Sequence, residues 1–194
     1  MLLSHLILAM AWIAYCVLHS ILASAVVKLW LQKRMKNSFG YYRVIYTIFS
    51  FLGLSGIIIY QYSMQSQFLF DPPIFLRSIG YLLLVGGATI MLMMIWKYFM
   101  QLSGVRWLTR QESKSKLEVS GLHRLVRHPL YLGTFLFIWG WFILSPSISF
   151  LISNCIITAY TLIALKFEEQ KLIQAFGDEY IQYRKKVPSI IPKI

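Results

Sequence analysis

The chain has 194 residues, of which 58% are hydrophobic and only 13% charged, against about 25% charged residues in ordinary soluble domains. That balance excludes a water-soluble globule and predicts an integral membrane protein. The formal net charge of +12 would suit nucleic acid as well as a membrane surface, so the placement of the charges has to decide.

Taken in chain order, apolar stretches lie near residues 2–27, 43–62, 74–96, 130–145 and 147–165, where about 20 apolar residues are needed to span a bilayer core. The first contains Ala23-Ser24-Ala25, a small-residue pattern that resembles a signal-peptidase site. No Lys or Arg precedes it, and the run exceeds the 7–15 residues of a signal peptide, so an uncleaved helix is expected. The next two stretches are comfortable spans. The last two are divided by Ser145-Pro146-Ser147, a helix breaker between turn-favouring residues, and so read as a helix hairpin. At about 1.5 Å per residue, its first leg reaches only about 24 Å and is short or tilted. The expected fold is therefore all-α: about five transmembrane helices, a C-terminal helix hairpin and an amphipathic cytoplasmic tail helix. No Gly/Ser linker, low-complexity tract or internal repeat interrupts the chain, so residues 1–194 are read as a single membrane-embedded domain.

The basic residues settle the charge question. Lys28, Lys33, Arg34, Lys36 and Arg43 fall after the first stretch. Lys97, Arg106, Arg110, Lys114, Lys116, Arg124 and Arg127 fall after the third, and the remaining cluster occupies the tail from Lys166 to Lys193. Only Arg77 lies on the opposite side of this alternation. The positive-inside rule makes the basic face cytoplasmic, with the N-terminus outside and the C-terminus inside. The basicity thus reports topology and an affinity for the lipid bilayer and its anionic headgroups, and nucleic acid is set aside as a partner. The sequence specifies no oligomeric state.

The longest polar stretches are 97–128 and 166–194. A hairpin beginning after Pro129 and returning near Lys166 brings Arg127-His128 and Glu168-Glu169 to one membrane level. Pro129 suits the first turn of a helix, where its missing N–H costs nothing, and it keeps His128 extended. On the returning side Glu169, Ile173, Phe176, Tyr180 and Tyr183 share a helical stripe. A carboxylate heading a stripe that packs on the bundle needs a partner, which Arg127, His128 or a cationic ligand would supply. Glu168 points about 100° away on the 3.6-residue helical repeat and is read as solvated. Gly177 interrupts this helix, and Pro188 with Pro192 ends it. The bland alternative makes Arg127 a snorkelling interface residue, His128 a cap and the glutamates the solvated start of a tail helix.

Within the spans, His19 and Ser20 stand in the cytoplasmic half of the first helix. Intramembrane ionisable residues are functional candidates by default, against a histidine merely bonded to a neighbouring helix. Trp96, Trp107, Trp139 and Trp141 read as interface or core residues. Gly86-Gly87 and Gly53 with Gly56 read as sites of close helix packing. Cys16 and Cys155 lie inside spans without metal-ligand spacing, so no metal is expected.

The segments GLHRLVRHPLYLG (121–133) and EEQKLIQAFGDEYIQYRKKVPSIIP (168–192) together resemble the isoprenylcysteine carboxyl methyltransferase superfamily, which includes membrane phospholipid methyltransferases. LHSILASAVVKLWLQKR with YYRVIY (18–34, 41–46) is more weakly similar to the NnrU-like proteins and membrane methanethiol S-methyltransferases, which points to a bacterial branch and its inner membrane. The resemblance implies a membrane-embedded enzyme that uses S-adenosylmethionine to methylate a small lipophilic acceptor, with its cofactor-binding part at about 101–192. No Gly-rich strand-to-helix fingerprint contradicts this. Carried over residue by residue, it makes Leu117, Gly121, His123, His128, Tyr131, Gly133, Glu168 and Glu169 candidate cofactor contacts. Arg127, His128 and Glu169 become candidate catalytic residues. His123 stands where the family commonly has Tyr, and Ala164-Leu165 occupy the turn where prenylcysteine enzymes have an Arg associated with the acceptor. A small thiol is therefore favoured over a prenylcysteine, with His19 as a candidate substrate-binding residue in a chamber between the first helix and the hairpin. A phospholipid or isoprenylcysteine acceptor, or a non-catalytic scaffold or transport accessory that keeps the fold, are the alternatives.

Overall fold

The computed structural model describes residues 1–36, 39–102 and 117–192; Arg106, Trp107, Arg110, Lys114, Lys116 and Lys193 lie outside the described residues. Seven α-helices occur among the described residues: α1 (Leu2–Ala23), α2 (Ala25–Met35), α3 (Phe39–Ser63), α4 (Ile74–Leu102), α5 (Pro129–Leu144), α6 (Ile148–Phe176) and α7 (Asp178–Lys186). A 3-10 turn, Gly121–Arg124, precedes α5. Four helices are long and apolar enough to cross a membrane, and α5 is a shorter apolar helix of 16 residues. The protein is an all-α membrane protein.

Two boundaries differ from the hydropathy reading. The first apolar stretch does not run to residue 27 as one helix. It ends at Ala23, and Ser24 adopts an extended conformation and caps α2 through its side chain, which accepts a hydrogen bond from the Val27 amide. An N-cap serine satisfies an orphan amide and redirects the chain, an effect that hydropathy cannot register. The expected first loop is therefore largely helical. At the other end, α6 continues without interruption from the apolar run through Glu168 and Glu169 to Phe176, and Gly177, at φ +54, breaks it.

The chain divides into two compact units, each drawing on more than one stretch. The first takes in Met1–Leu69 and Ser147–Ile157. Its apolar core is Leu8 and Trp12 of α1 with Ile57 of α3, covered by Leu54, Tyr60, Ile156 and Ile157. One end is polar: His5 Nε2 lies 3.1 Å from Ser66 Oγ, which accepts from the Ser149 amide at 3.0 Å, and Ser153 donates to Gln61 Oε1 at 2.7 Å. Buried polar groups persist in an apolar bundle only when paired in this way.

The second unit takes in the described residues 70–96, 117–146 and 158–192. Here α4 and α5 touch backbone to backbone. A Cβ added at Gly87 would fall 2.6 Å from the Gly133 carbonyl oxygen, and one at Gly140 would fall 2.6 Å from the Leu84 amide nitrogen. Small residues at such crossings replace a hydrophobic driving force with direct van der Waals contact. Gly86 and Gly56 face open space and Gly53 faces the Tyr15 ring, so only Gly87 of the Gly86-Gly87 pair makes the close approach. Ser145-Pro146-Ser147 ends α5 before α6 begins, and Trp139 of α5 donates to Thr158 Oγ1 of α6 at 3.2 Å. The expected hairpin is formed.

Candidate functional site

The site lies within the second unit, where α5 begins and the acidic end of α6 returns. Pro129 opens α5, and His128 is its N-cap at φ −122, ψ 68, outside the helical region that a following proline disfavours and short of the fully extended backbone expected. The non-helical Arg127-His128 turn leaves two backbone N–H groups that need acceptors, because buried amides are almost always paired. The C-terminal segment supplies them: the Arg127 amide donates to the Pro188 carbonyl at 2.9 Å, and the His128 amide donates to that of Ser189 at 3.0 Å.

Glu169 and Arg127 form the centre. Arg127 Nε donates to Glu169 Oε1 at 3.0 Å, and its Nη2 donates to the same oxygen. Both side chains are about nine-tenths buried. The other side of the guanidinium donates to the main chain, through Nη1 to the carbonyls of Val187 and Arg184. Arg127 thus joins α6 to the end of α7 and the segment after it. Four of its N–H groups are already committed to the protein, so it acts on Glu169 and on the tail. The environment of Glu168 is richer than the sequence reading gave it. Instead of being merely solvated, Glu168 accepts a hydrogen bond from the Tyr131 hydroxyl at 2.6 Å and lies 3.8 Å from His128 Nδ1, while its side chain stays 44% exposed.

His128 sits between the two carboxylates, with Nε2 3.4 Å from Glu169 Oε1 and its ring stacked on Tyr131 at 5.5 Å between centroids. Burial holds its pKa below the ordinary 6.5; Glu168 and Glu169 oppose that shift and Arg127 adds to it. The unfolded chain therefore takes up a proton more readily than the folded one. Stability contributed by the neutral ring is present above the ordinary histidine pKa and is lost as pH falls below it. Thermal unfolding in nanodiscs is expected to show a stability loss below about pH 6.5 that His128→Asn reduces; a pH profile identical in the variant would refute the assignment.

The remaining sequence candidates are distributed unevenly. His123 Nδ1 lies 3.1 Å from the Arg127 carbonyl oxygen, and the Tyr183 hydroxyl donates to the His123 carbonyl at 2.6 Å, so His123 braces the turn. Gly121 takes a left-handed φ of +60, which favours glycine. Gly133 meets α4, where an added Cβ would lie 3.0 Å from Ile90 and Met91; its contacts are those of helix packing. Leu117 is half-buried in the irregular stretch before the turn. His19 belongs to the first unit. No cluster of three or more metal-ligating side chains occurs among the described residues.

Sequence reasoning missed Arg184, whose Nε lies 3.6 Å from Glu169 Oε2, and the carbonyls of Val187, Pro188 and Ser189. Tyr180 was legible as part of the Glu169 stripe. It is almost fully buried beside Arg127 and Glu169.

A family model described as phospholipid methyltransferase matches residues 75–179, more than half of the chain. Methanethiol S-methyltransferase 2 of Bradyrhizobium diazoefficiens is 41% identical over 78 residues, 38% of this chain and 27% of that protein. The methanethiol S-methyltransferase of Crocosphaera subtropica is 36% identical over 81 residues, 41% of this chain and 30% of the relative. The protein-S-isoprenylcysteine O-methyltransferase of Schizosaccharomyces pombe is 39% identical over 79 residues, 40% of this chain and 34% of the relative. These matches thus span about a third or less of the curated relatives' own length. No solved structure matches with significance. With its buried Arg127–Glu169 pair and its Arg-His-Pro turn inside the matched region, the chain belongs to the phospholipid methyltransferase family.

Proposed function

We propose that the protein is an S-adenosylmethionine-dependent membrane methyltransferase acting on a small lipophilic acceptor, with a thiol favoured. The observation that carries this reading is the juxtaposition of Glu168, Glu169, His128 and Tyr131 at one helix entrance, an arrangement that scaffolding alone does not require. The donor set fits the cofactor. The exposed Glu168 carboxylate would accept from ribose hydroxyls or an amino group, and the aromatic face of Tyr131 would favour a sulfonium by cation–π attraction. The N-terminus of α5, beside His128, favours an anionic group such as a carboxylate. When bound, the cofactor supplies an electrophilic methyl group.

The chain's own residues then act mainly by position. Methyl transfer is a displacement that needs aligned partners, so orientation and electrostatics carry much of the rate. Arg127 fixes the Glu169 carboxylate and the tail, and Tyr131 fixes Glu168. The thiol preference is supported by the names of the two bacterial relatives and by Ala164-Leu165 in place of the prenylcysteine-associated Arg. A thiol reacts as its thiolate, which nearby positive charge favours. The same bacterial likeness supports an inner-membrane location.

Calorimetric titration of the solubilised full chain with S-adenosylhomocysteine tests the reading. Saturable binding is expected. Absence of both heat and thermal shift at millimolar ligand would replace it with a non-catalytic scaffold that keeps the fold. Labelled-methyl transfer to a short-chain thiol, a prenylcysteine analogue and phosphatidylethanolamine tests the acceptor: activity on either lipid-like acceptor with none on the thiol would overturn the thiol preference alone. For orientation, the one-sided distribution of Lys and Arg supports a cytoplasmic C-terminus. A reporter fused after the last residue is expected inside and one inserted near Asp71 outside; both on one side would refute the topology.

A further inference from the structure

The first unit contains a half-open cavity of about 230 Å³ between α1 and α3, several of whose walls, Leu18 and Phe49 among them, are themselves exposed. Its walls are apolar, formed among others by Ala14, Leu18, Phe49 and Gly53, and its polar lining includes His19 and Ser50. Gly53 keeps the space open: a Cβ there would press to 3.2 Å from the Tyr15 ring. His19 is held in place. Its ring nitrogens lie 3.0 and 3.1 Å from the Tyr46 hydroxyl and Nδ1 lies 3.3 Å from Ser50 Oγ, while the rings of Tyr15 and Tyr46 flank it at 5.8 and 5.3 Å. Ionisable side chains inside a membrane helix are costly and serve pathways or ligands as a rule.

The cavity chemistry specifies an occupant. A cavity of about 150 Å³ lined by aliphatic residues takes up benzene, so this one has room for a short alkyl or aryl molecule. Among the described residues no Lys, Arg, Asp or Glu lines it, and an ion entering such a wall would lose its hydration without a counter-charge in contact. The His19 imidazole and the Ser50 hydroxyl, themselves 3.3 Å apart, can share a single polar head. A sulfhydryl, a weak donor and weak acceptor, pairs with them at little desolvation cost, whereas a carboxylate or ammonium does not. We infer that this cavity is a binding site for a short, uncharged thiol, seated with its chain against Ala14, Leu18 and Phe49 and its sulfur at His19. The inference rests on the thiol-methyltransferase reading and adds the site and the size class of the acceptor; no covalent step is assigned to the cavity.

The test uses the full chain in phosphatidylcholine nanodiscs, with ¹³C-labelled histidine followed by NMR during titration with 1-butanethiol. A saturable shift of the His19 signal is expected, and Ala14→Phe, which fills the space from a position that is not buried, should abolish it while S-adenosylhomocysteine affinity stays unchanged. Pentane, which lacks the head group, should bind about tenfold more weakly, the equivalent of one net hydrogen bond. In His19→Phe, which keeps the ring between Tyr15 and Tyr46, calorimetry should find the two probes alike. No saturable shift in the wild type, an unchanged shift in Ala14→Phe, or equal binding of pentane and butanethiol to the wild type would each overturn the site. Failure of S-adenosylhomocysteine to bind would instead strike the methyltransferase reading, and the histidine signal would still report on the cavity.

Discussion

Glu169→Ala is expected to lose cofactor binding and much of the protein's stability together, because this carboxylate is the only acceptor shown for two of the four N–H groups that Arg127 commits. Removing one member of a buried pair strands the other charge, at a cost of about 3–5 kcal/mol. Arg127 is buried on three sides by α6, the end of α7 and the segment that follows, so it cannot swing to water without releasing the Val187 and Arg184 carbonyls. Differential scanning fluorimetry should therefore show a large fall in Tm for Glu169→Ala. Replacing both partners with apolar residues of similar volume, Arg127→Met with Glu169→Leu, is expected to recover most of that fall, since such pairs are often neutral in stability, while S-adenosylhomocysteine binding stays lost. A single variant with wild-type Tm would show that the ion pair does not hold the tail. A double variant that binds the ligand normally would remove Glu169 from the site.

The parts of this arrangement that were legible in the sequence are those written in side chains. Ser145-Pro146-Ser147 between two apolar runs announced the hairpin, and the hairpin placed Glu169 opposite Arg127. The period of the stripe through Glu169, Ile173, Phe176 and Tyr180 announced a carboxylate in need of a partner. What escaped was written in the main chain. The acceptors for Arg127 and His128 are carbonyls of Val187, Pro188 and Ser189, which every residue carries and no motif marks. The break at Ser24 escaped because Val26 and Val27 prolong the apolar run past a serine whose capping bond to Val27 depends on geometry. Gly86 and Gly87 are alike in sequence, but on a helix they point about 100° apart, and only Gly87 meets α5.

The same distinction explains why the Tyr131 partner of Glu168 escaped the sequence and why Glu168 makes the cleaner test of the site. One helical step from Glu169, it turns away from Arg127 and toward Tyr131, which donates to its Oε2. Since the side chain is 44% exposed, losing it strands no buried charge, and its near neighbour His128 is held neutral at physiological pH by burial. Glu168→Ala should therefore leave Tm nearly unchanged and weaken S-adenosylhomocysteine binding. A charge-assisted hydrogen bond is worth about 1.5–3 kcal/mol; solvent screening at a half-exposed carboxylate reduces this, so about a tenfold loss is expected. Tyr131→Phe, which frees the carboxylate without removing it, should produce a smaller loss by letting Glu168 sample other rotamers. Titration calorimetry on both variants checks the order. Unchanged affinity in Glu168→Ala at wild-type Tm would separate the exposed carboxylate from the cofactor and leave the acidic pair with Glu169's structural role alone.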